Sequence, residues 1–247
     1  MLRNLNGLTG LKIRARDGEL GEALEFYFED TSWKVRYLVA RTGGPGGREV
    51  LISPVAVKSA GGGAIEVDLT VEQVRNSPDI DTDKTVTRRH ERELHEYYAW
   101  PLYWGEAFYG GSMSGSPLFI EPPPRERAAP EEGDAHLQST RDVAGYGLHA
   151  ADGHLGHVRD YIVDDGWNIR YLVADTGVWL PGRKVLISPH WIESVNWETS
   201  EIYVDLTREA VRMSPGYDPS VPVSEDYESE LFDHYGRPKL GAGAGGD

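Results

Sequence analysis

The eight histidines are the residues of this chain best suited to chemistry near neutral pH, because imidazole titrates there and ligates transition metals. Two of them, His90 and His95, sit in the segment HERELH. A helix-borne zinc pair needs spacing i and i+4 so that both rings share a face. Five residues turn roughly 500°, leaving this pair about 140° apart, so both read as solvated helix surface. His149, His154 and His157 crowd a hairpin. A transition metal would accept their rings but needs three or four convergent ligands, and on a regular strand positions 154 and 157 face opposite ways. A metal- or small-molecule-dependent enzyme built on these three is one alternative reading.

Paired carboxylates recur at Glu29-Asp30 and Asp164-Asp165. General acid–base work needs facing carboxyls in a dry cleft with separated pKa values; adjacent residues at a hairpin end read instead as turn formers or solvated groups. GAGAGG, Gly241 to Gly246, fits G-x-G-x-x-G only as a string, with no strand before it and no helix after it to hold a pyrophosphate. No Gly-Lys pair completes a phosphate loop, and GGSMSGS lacks the spacing of a nucleophile elbow. The absence of cysteine removes disulfides, thiolate nucleophiles, Cys-ligated zinc and iron–sulfur clusters. The expectation is a non-enzyme with no cofactor and no metal. The best functional candidate is YYAWPLYW, with Tyr97, Tyr98, Trp100, Tyr103 and Trp104. So many rings in one short segment do not form a solvated loop. They pack back on the preceding domain or its seam with a neighbour, or they anchor a partner, since Tyr and Trp dominate interface hot spots.

The elements that position these residues are written twice. VRYLVARTG, from Val35, returns as IRYLVADTG, from Ile169. Asp17, Gly18 and Gly21 return as Asp152, Gly153 and Gly156; Arg36 and Tyr37 return as Arg170 and Tyr171. REVLISP matches RKVLISP, IEVDLTVEQVRNSP matches IYVDLTREAVRMSP, and VTRRHERELHEYYAWP echoes VSEDYESELFDHYGRP. Asp-Gly marks a tight turn in which Gly supplies positive φ. Alternation places Val158 and Ile162 opposite Arg159 and Tyr161, and Val35, Tyr37 and Val39 opposite Arg36 and Leu38. Proline ends the LISP strands. Thr70 and Gln73 form a capping box, Thr207 caps the second copy, and Ser-Pro stops both helices; a further helix spans roughly Arg88 to Tyr98. Five or six short strands per copy predict a small closed or nearly closed barrel. Arg36 and Arg170 are expected in ion pairs with a nearby acid such as Asp30 or Asp165.

The expected organisation is a first unit over 1–104, a Gly/Pro/Ser-rich linker over 105–141, a second unit over 142–238 and a disordered tail over 239–247. One small barrel buries a limited core, so two copies are expected to cover each other about an approximate twofold axis. The net charge of −15 disfavours nucleic acid and docking on anionic lipid. No apolar run approaches the ~20 residues that span a bilayer, and no secretory signal is visible; a cytoplasmic chain is expected.

The order of these segments resembles the PRC-barrel family: a strand–Asp-Gly–strand hairpin with Gly156 and Val158, then WNIRYLV from Trp167, then VLISP from Val185, with the same order in the first copy. The family includes the cytoplasmic domain of the H subunit of purple-bacterial photosynthetic reaction centres and the C-terminal domain of a ribosome maturation factor. HEYYAWPLYW, from His95, resembles an extension of soluble bacterial H-subunit-like proteins. The membrane-spanning helix of the H subunit and the additional N-terminal domain of the maturation factor have no counterpart here. The resemblance implies a mainly β fold of two antiparallel barrels with short helical extensions, used for protein contacts, and transfers no catalytic residue. The expected function is a non-enzymatic interaction or scaffolding module with a protein partner, or a second copy of itself. An accessory role at a photosynthetic or other electron-transfer membrane complex, peripheral to the inner membrane, is the alternative it implies.

Overall fold

The computed structural model describes residues 1–44, 46–78, 86–104, 136–177 and 180–238. The chain folds mainly as β-structure in two sheets of seven strands each. The first half contributes β1 (Arg3–Asn4), β2 (Lys12–Arg14), β3 (Glu19–Glu29), β4 (Lys34–Thr42), β5 (Glu49–Ile52), β6 (Val57–Gly61) and β7 (Ala64–Val67), then helices α1 (Val71–Arg75) and α2 (Arg88–Tyr98). The second half follows with β8 (Leu137–Ser139), α3 (Thr140–Val143), β9 (Gly147–Ala150), β10 (Gly153–Val163), β11 (Ile169–Asp175), β12 (Lys184–Ile187), β13 (Ile192–Asn196), β14 (Glu201–Val204), α4 (Arg208–Met213) and α5 (Glu225–His234). The strand orders are the same in both halves, β5-β4-β3-β2-β7-β6 and β12-β11-β10-β9-β14-β13.

Neither sheet closes into a barrel, against the expectation from strand count. The end strands of each path, β5 with β6 and β12 with β13, are consecutive in the chain, yet Pro54–Ala56 and Pro189–Trp191 form single 3-10 turns between them. Proline donates no ladder hydrogen bond, and among the described residues no ladder joins these end strands.

The repeated Asp and Gly have distinct duties. Asp17 Oδ1 accepts from Val71 N at 2.8 Å and Asp152 Oδ1 from Arg208 N at 2.7 Å, so each turn aspartate caps the helix that follows its sheet. Positive φ occurs at Gly153 but not at Gly18. Gly21 and Gly156 permit close backbone approach: a Cβ there would lie 1.8 Å from Arg41 O and 2.0 Å from Asp175 O. The Thr70–Gln73 capping box forms, and the Thr207 hydroxyl accepts from Ala210 N.

Bulges break the alternation read from the sequence. Leu24 and Arg159 are the extra residues of β3 and β10, and Arg36 and Arg170 those of β4 and β11. An extra residue reverses which side chains face the core. Tyr161 is therefore buried together with Ile162, and Val35 lies in the main core while Tyr37 and Val39 belong to a second cluster under α2.

The halves are joined by a reciprocal exchange. β1 pairs with β10 (Arg3↔Val163, Asn4↔Ile162), and β8 pairs with β3 (Gln138↔Phe28, Ser139↔Tyr27). Leu137 to Arg141, assigned to the linker by composition, are thus strand and helix, and β1 lies in the sheet of the second half. At the seam Val35 N donates to Trp167 O at 2.9 Å and Ile169 N to Trp33 O at 2.8 Å, while Lys34 bridges Asn168, its counterpart in the repeat. Trp33 and Trp167 both hold positive φ, 53° and 63°, a conformation that bulky residues rarely adopt. One hydrophobic core runs through both halves, with Phe28, Trp33 and Val35 packed among Tyr161, Val163 and Ile169. Residues 105–135 and 239–247, read as linker and tail, lie outside the described residues.

Candidate functional site

Helix α2 positions the aromatic block. Thr87 caps its start, accepting from His90 N, and Ala99 ends it in the left-handed region at φ 55°, turning Trp100 to Trp104 back over the helix. The face of α2 turned to the sheet carries Arg88, Glu91, Leu94 and His95, all buried. Solvated surface was expected for His95; it is only 3% exposed. Its Nδ1–H donates to Pro101 O at 2.9 Å, which fixes the tautomer so that Nε2 accepts from Tyr37 OH at 2.8 Å. Burial holds this imidazole below its usual pKa and pushes the Tyr37 hydroxyl well above its own. His90 lies on another face, so the helix offers no metal pair.

Around His95 the charges are dry and mutually paired. Glu91 is fully buried and meets Arg88 at 3.2 Å, His136 Nε2 at 2.7 Å and the Tyr103 hydroxyl. Arg88 also reaches Glu29 at 3.4 Å, and Arg36 meets the same carboxylate at 2.6 Å. Burial pushes Glu29 up, but hydrogen bonds from Arg36 and Ser32 and the charges of Arg36 and Arg88 outweigh it, and its carboxyl titrates below the ordinary value. The guanidinium of Arg36 lies 3.8 Å from the Tyr103 ring centre and that of Arg88 4.5 Å from the Trp104 ring, both cation–π geometry. Trp100 stacks on Tyr98 at 4.2 Å. The block is thus clamped to the first half, with Tyr97 at 41% and Leu102 at 47% left exposed beside it; Tyr97 OH donates to Gln73 O at 2.9 Å.

The second half keeps a reduced version. Arg170 lies 3.8 Å from Asp164 and 3.9 Å from Glu228, and Tyr171 OH donates to Glu228 Oε1 at 2.7 Å. Both arginines therefore pair with acids other than the expected Asp30 and Asp165. Glu228 stands where Glu91 stands in the repeat, and that shared glutamate was the legible signal for a lock that the motif reading missed. Trp191 packs on Tyr235 at 4.7 Å, supplying from another position the ring that Trp100 gives to Tyr98. Asp164 closes its turn by accepting from Asn168 N at 2.9 Å and Asp165 stays 61% exposed while holding the Arg3 guanidinium; Glu29 departs from the turn reading and lies in the buried lock.

His149, His154 and His157 are brought together, against the strand alternation, because a register shift between His154 and Gly156 puts them on one side. Successive ring centres are 5.0 and 5.1 Å apart, and His149 lies 3.6 Å from Glu201. Burial, then the neighbouring His149 and His157, lower His154 from its ordinary value. Among the described residues no group of three or more such side chains has the geometry to hold a metal ion. No described helix is long and apolar enough to cross a membrane. The chain matches no model of a known protein family, and no curated protein matches it.

Proposed function

We propose that this chain is a non-enzymatic protein-contact module of two PRC-type units, and that it meets its partner at the far end of α2. The observation that carries this reading is the rigid mounting of the aromatic block beside two exposed large side chains, Tyr97 and Leu102. A surface held by buried ion pairs loses little conformational entropy when a partner docks, and so offers a preorganised anchor. The order of Asp-Gly hairpin, Arg-Tyr strand and Ser-Pro turn, shared by both halves, supports the PRC-type reading. The partner is a protein, soluble or part of a membrane complex.

A photo-reactive amino acid placed at position 97 or 102 tests this in the native host, with position 234, the counterpart of 97 in the second half, as control. The expected result is the same captured protein from 97 and 102, absent from 234 and lost when Leu102→Asp accompanies the probe at 97. Identical products from all three positions, or none from 97 and 102, would overturn the proposal. The fraction in which the product appears distinguishes a soluble from a membrane partner.

A further inference from the structure

A cavity of about 620 Å³ opens at the seam between the halves, lined on one side by Asp30 and Trp33 and on the other by Arg170, His190, Ser194 and Val195. The internal repeat gives this cleft a counterpart across the seam, where Asp165 stands for Asp30, Arg36 for Arg170 and Ala60 for Val195. That counterpart is filled. Arg3 reaches into it from β1, donating from Nη1 to Ala60 O at 3.1 Å and from Nη2 to Asp165. Only 26% of the Arg3 side chain stays exposed.

In the open cleft the residue matching Arg3 is Gln138, at the same register of the exchanged strand. Its amide is shorter than a guanidinium and carries no charge, and it hydrogen-bonds Asp30 without neutralising it. Among the described residues no arginine or lysine pairs with Asp30, whose carboxyl burial pushes up, with the charge of His136 as a smaller opposing influence. The cationic wall of the cleft, Arg170, is already engaged by Asp164 and Glu228, just as Arg36 is engaged by Glu29 beside the occupied copy. The cleft therefore presents a carboxylate beside the Val195 edge of β13, with no arginine or lysine of the described residues on that carboxylate.

We propose that this cleft is a binding site for the guanidinium of an arginine side chain, held as Arg3 is held in the other copy: ionically by Asp30 and by the carbonyl of Val195. Because β8 already occupies the strand position that β1 occupies opposite, the ligand enters by its side chain and does not add a strand. A planar fork of donors matches a carboxylate and a carbonyl together, which an ammonium does not.

The test is titration of the full chain with N-acetyl-argininamide, read by calorimetry and by Trp fluorescence, with the isosteric uncharged citrulline compound as control. The expected result is saturable binding of the arginine compound alone, weakened at least about tenfold by Asp30→Asn. Gln138→Arg rebuilds the occupied copy in cis and guards against a misfolded Asp30 variant; it is expected to abolish binding and raise the melting temperature. Equal binding of the citrulline compound, no saturable binding, or binding undiminished by Gln138→Arg would overturn the proposal.

Discussion

Replacing Glu91 by glutamine removes one charge and almost no volume, at a position with no solvent exposure. Arg88, 6% exposed, would then have only Glu29 at 3.4 Å, a carboxylate already shared with Arg36 at 2.6 Å. His136 and Tyr103 would lose an anionic acceptor as well. Removing one partner of a buried ion pair typically costs about 3–5 kcal/mol, because the remaining charge stays dry and uncompensated. For a domain of this size that corresponds to a melting temperature lower by roughly 6–20 °C. Two positions along the same helix, Glu93 pairs with Arg89 at 3.1 Å with side chains 48% and 70% exposed, and such pairs contribute only about 0.2–0.5 kcal/mol. Urea denaturation of Glu91→Gln and Glu93→Gln, compared at unchanged m-value, is the assay. The double variant Arg88→Met/Glu91→Leu should recover part of the loss, because it removes both dry charges together. Equal small effects at 91 and 93 would refute the buried lock and, with it, the rigid mounting of the aromatic block.

Two further outcomes follow from the same geometry. Burial lowers His95 in the folded state, with Glu91, Arg36 and the hydrogen bonds to Pro101 and Trp100 as lesser influences; the unfolded chain therefore takes up that proton first, and stability should fall as pH drops below the ordinary histidine value. Glu25 and Asp30, both raised by burial, act in the opposite sense, so the measurement is the difference between wild type and His95→Gln in urea midpoint at pH 7.5 and pH 5.5, with the variant expected to lose less; equal losses would count against a neutral buried imidazole. Gly21→Ala and Gly156→Ala should each cost roughly 2–4 kcal/mol, since the new Cβ meets a strand carbonyl at 1.8 or 2.0 Å, whereas Gly43→Ala and Gly177→Ala, with positive φ but open space, should cost about 1–2 kcal/mol by thermal or urea unfolding.

What could be read from the residues was whatever is local. The helix from Arg88 to Tyr98 and the Thr70–Gln73 capping box depend on neighbours a few positions away, and each formed as its spacing required, whereas the helix that each turn aspartate caps lies more than fifty residues on. The face of α2 was not legible, because half of what it buries is charged: Arg88 and Glu91 carry no apolar period, and His95 looks solvated unless Tyr37 and Pro101 are known to meet it. Bulges at Arg36 and Arg159 reversed the alternation without any glycine to mark them. The exchange of β1 and β8 left no trace in the repeat, since Arg3-Asn4 and Gln138-Ser139 share no residue and the pairing joins backbones far apart in the chain. Closure into a barrel was an inference from strand count, which does not say whether the end strands exchange hydrogen bonds.

The exchange also explains why two similar halves can differ in their use. Once β1 and β8 are traded and Trp33 and Trp167 are locked across the seam, the core that both halves share holds the fold, and each outer helix is free to diverge. In the second half Phe232 stands where His95 stands in the first, and Trp191 closes over Tyr235 from the 3-10 turn between β12 and β13. That packing is apolar and needs no extension beyond the helix. In the first half Ala56 occupies the place of Trp191, the helix brings charge instead of Phe, and the rings of Trp100, Tyr103 and Trp104 must arrive from outside to cover Tyr98, Arg36 and Arg88. A cover recruited from outside exposes its own outer edge, and here that edge is Leu102, beside Tyr97 at the end of α2. The asymmetry is thus a consequence of where each half keeps its tryptophan, and it leaves the aromatic extension on the first half alone among the described residues.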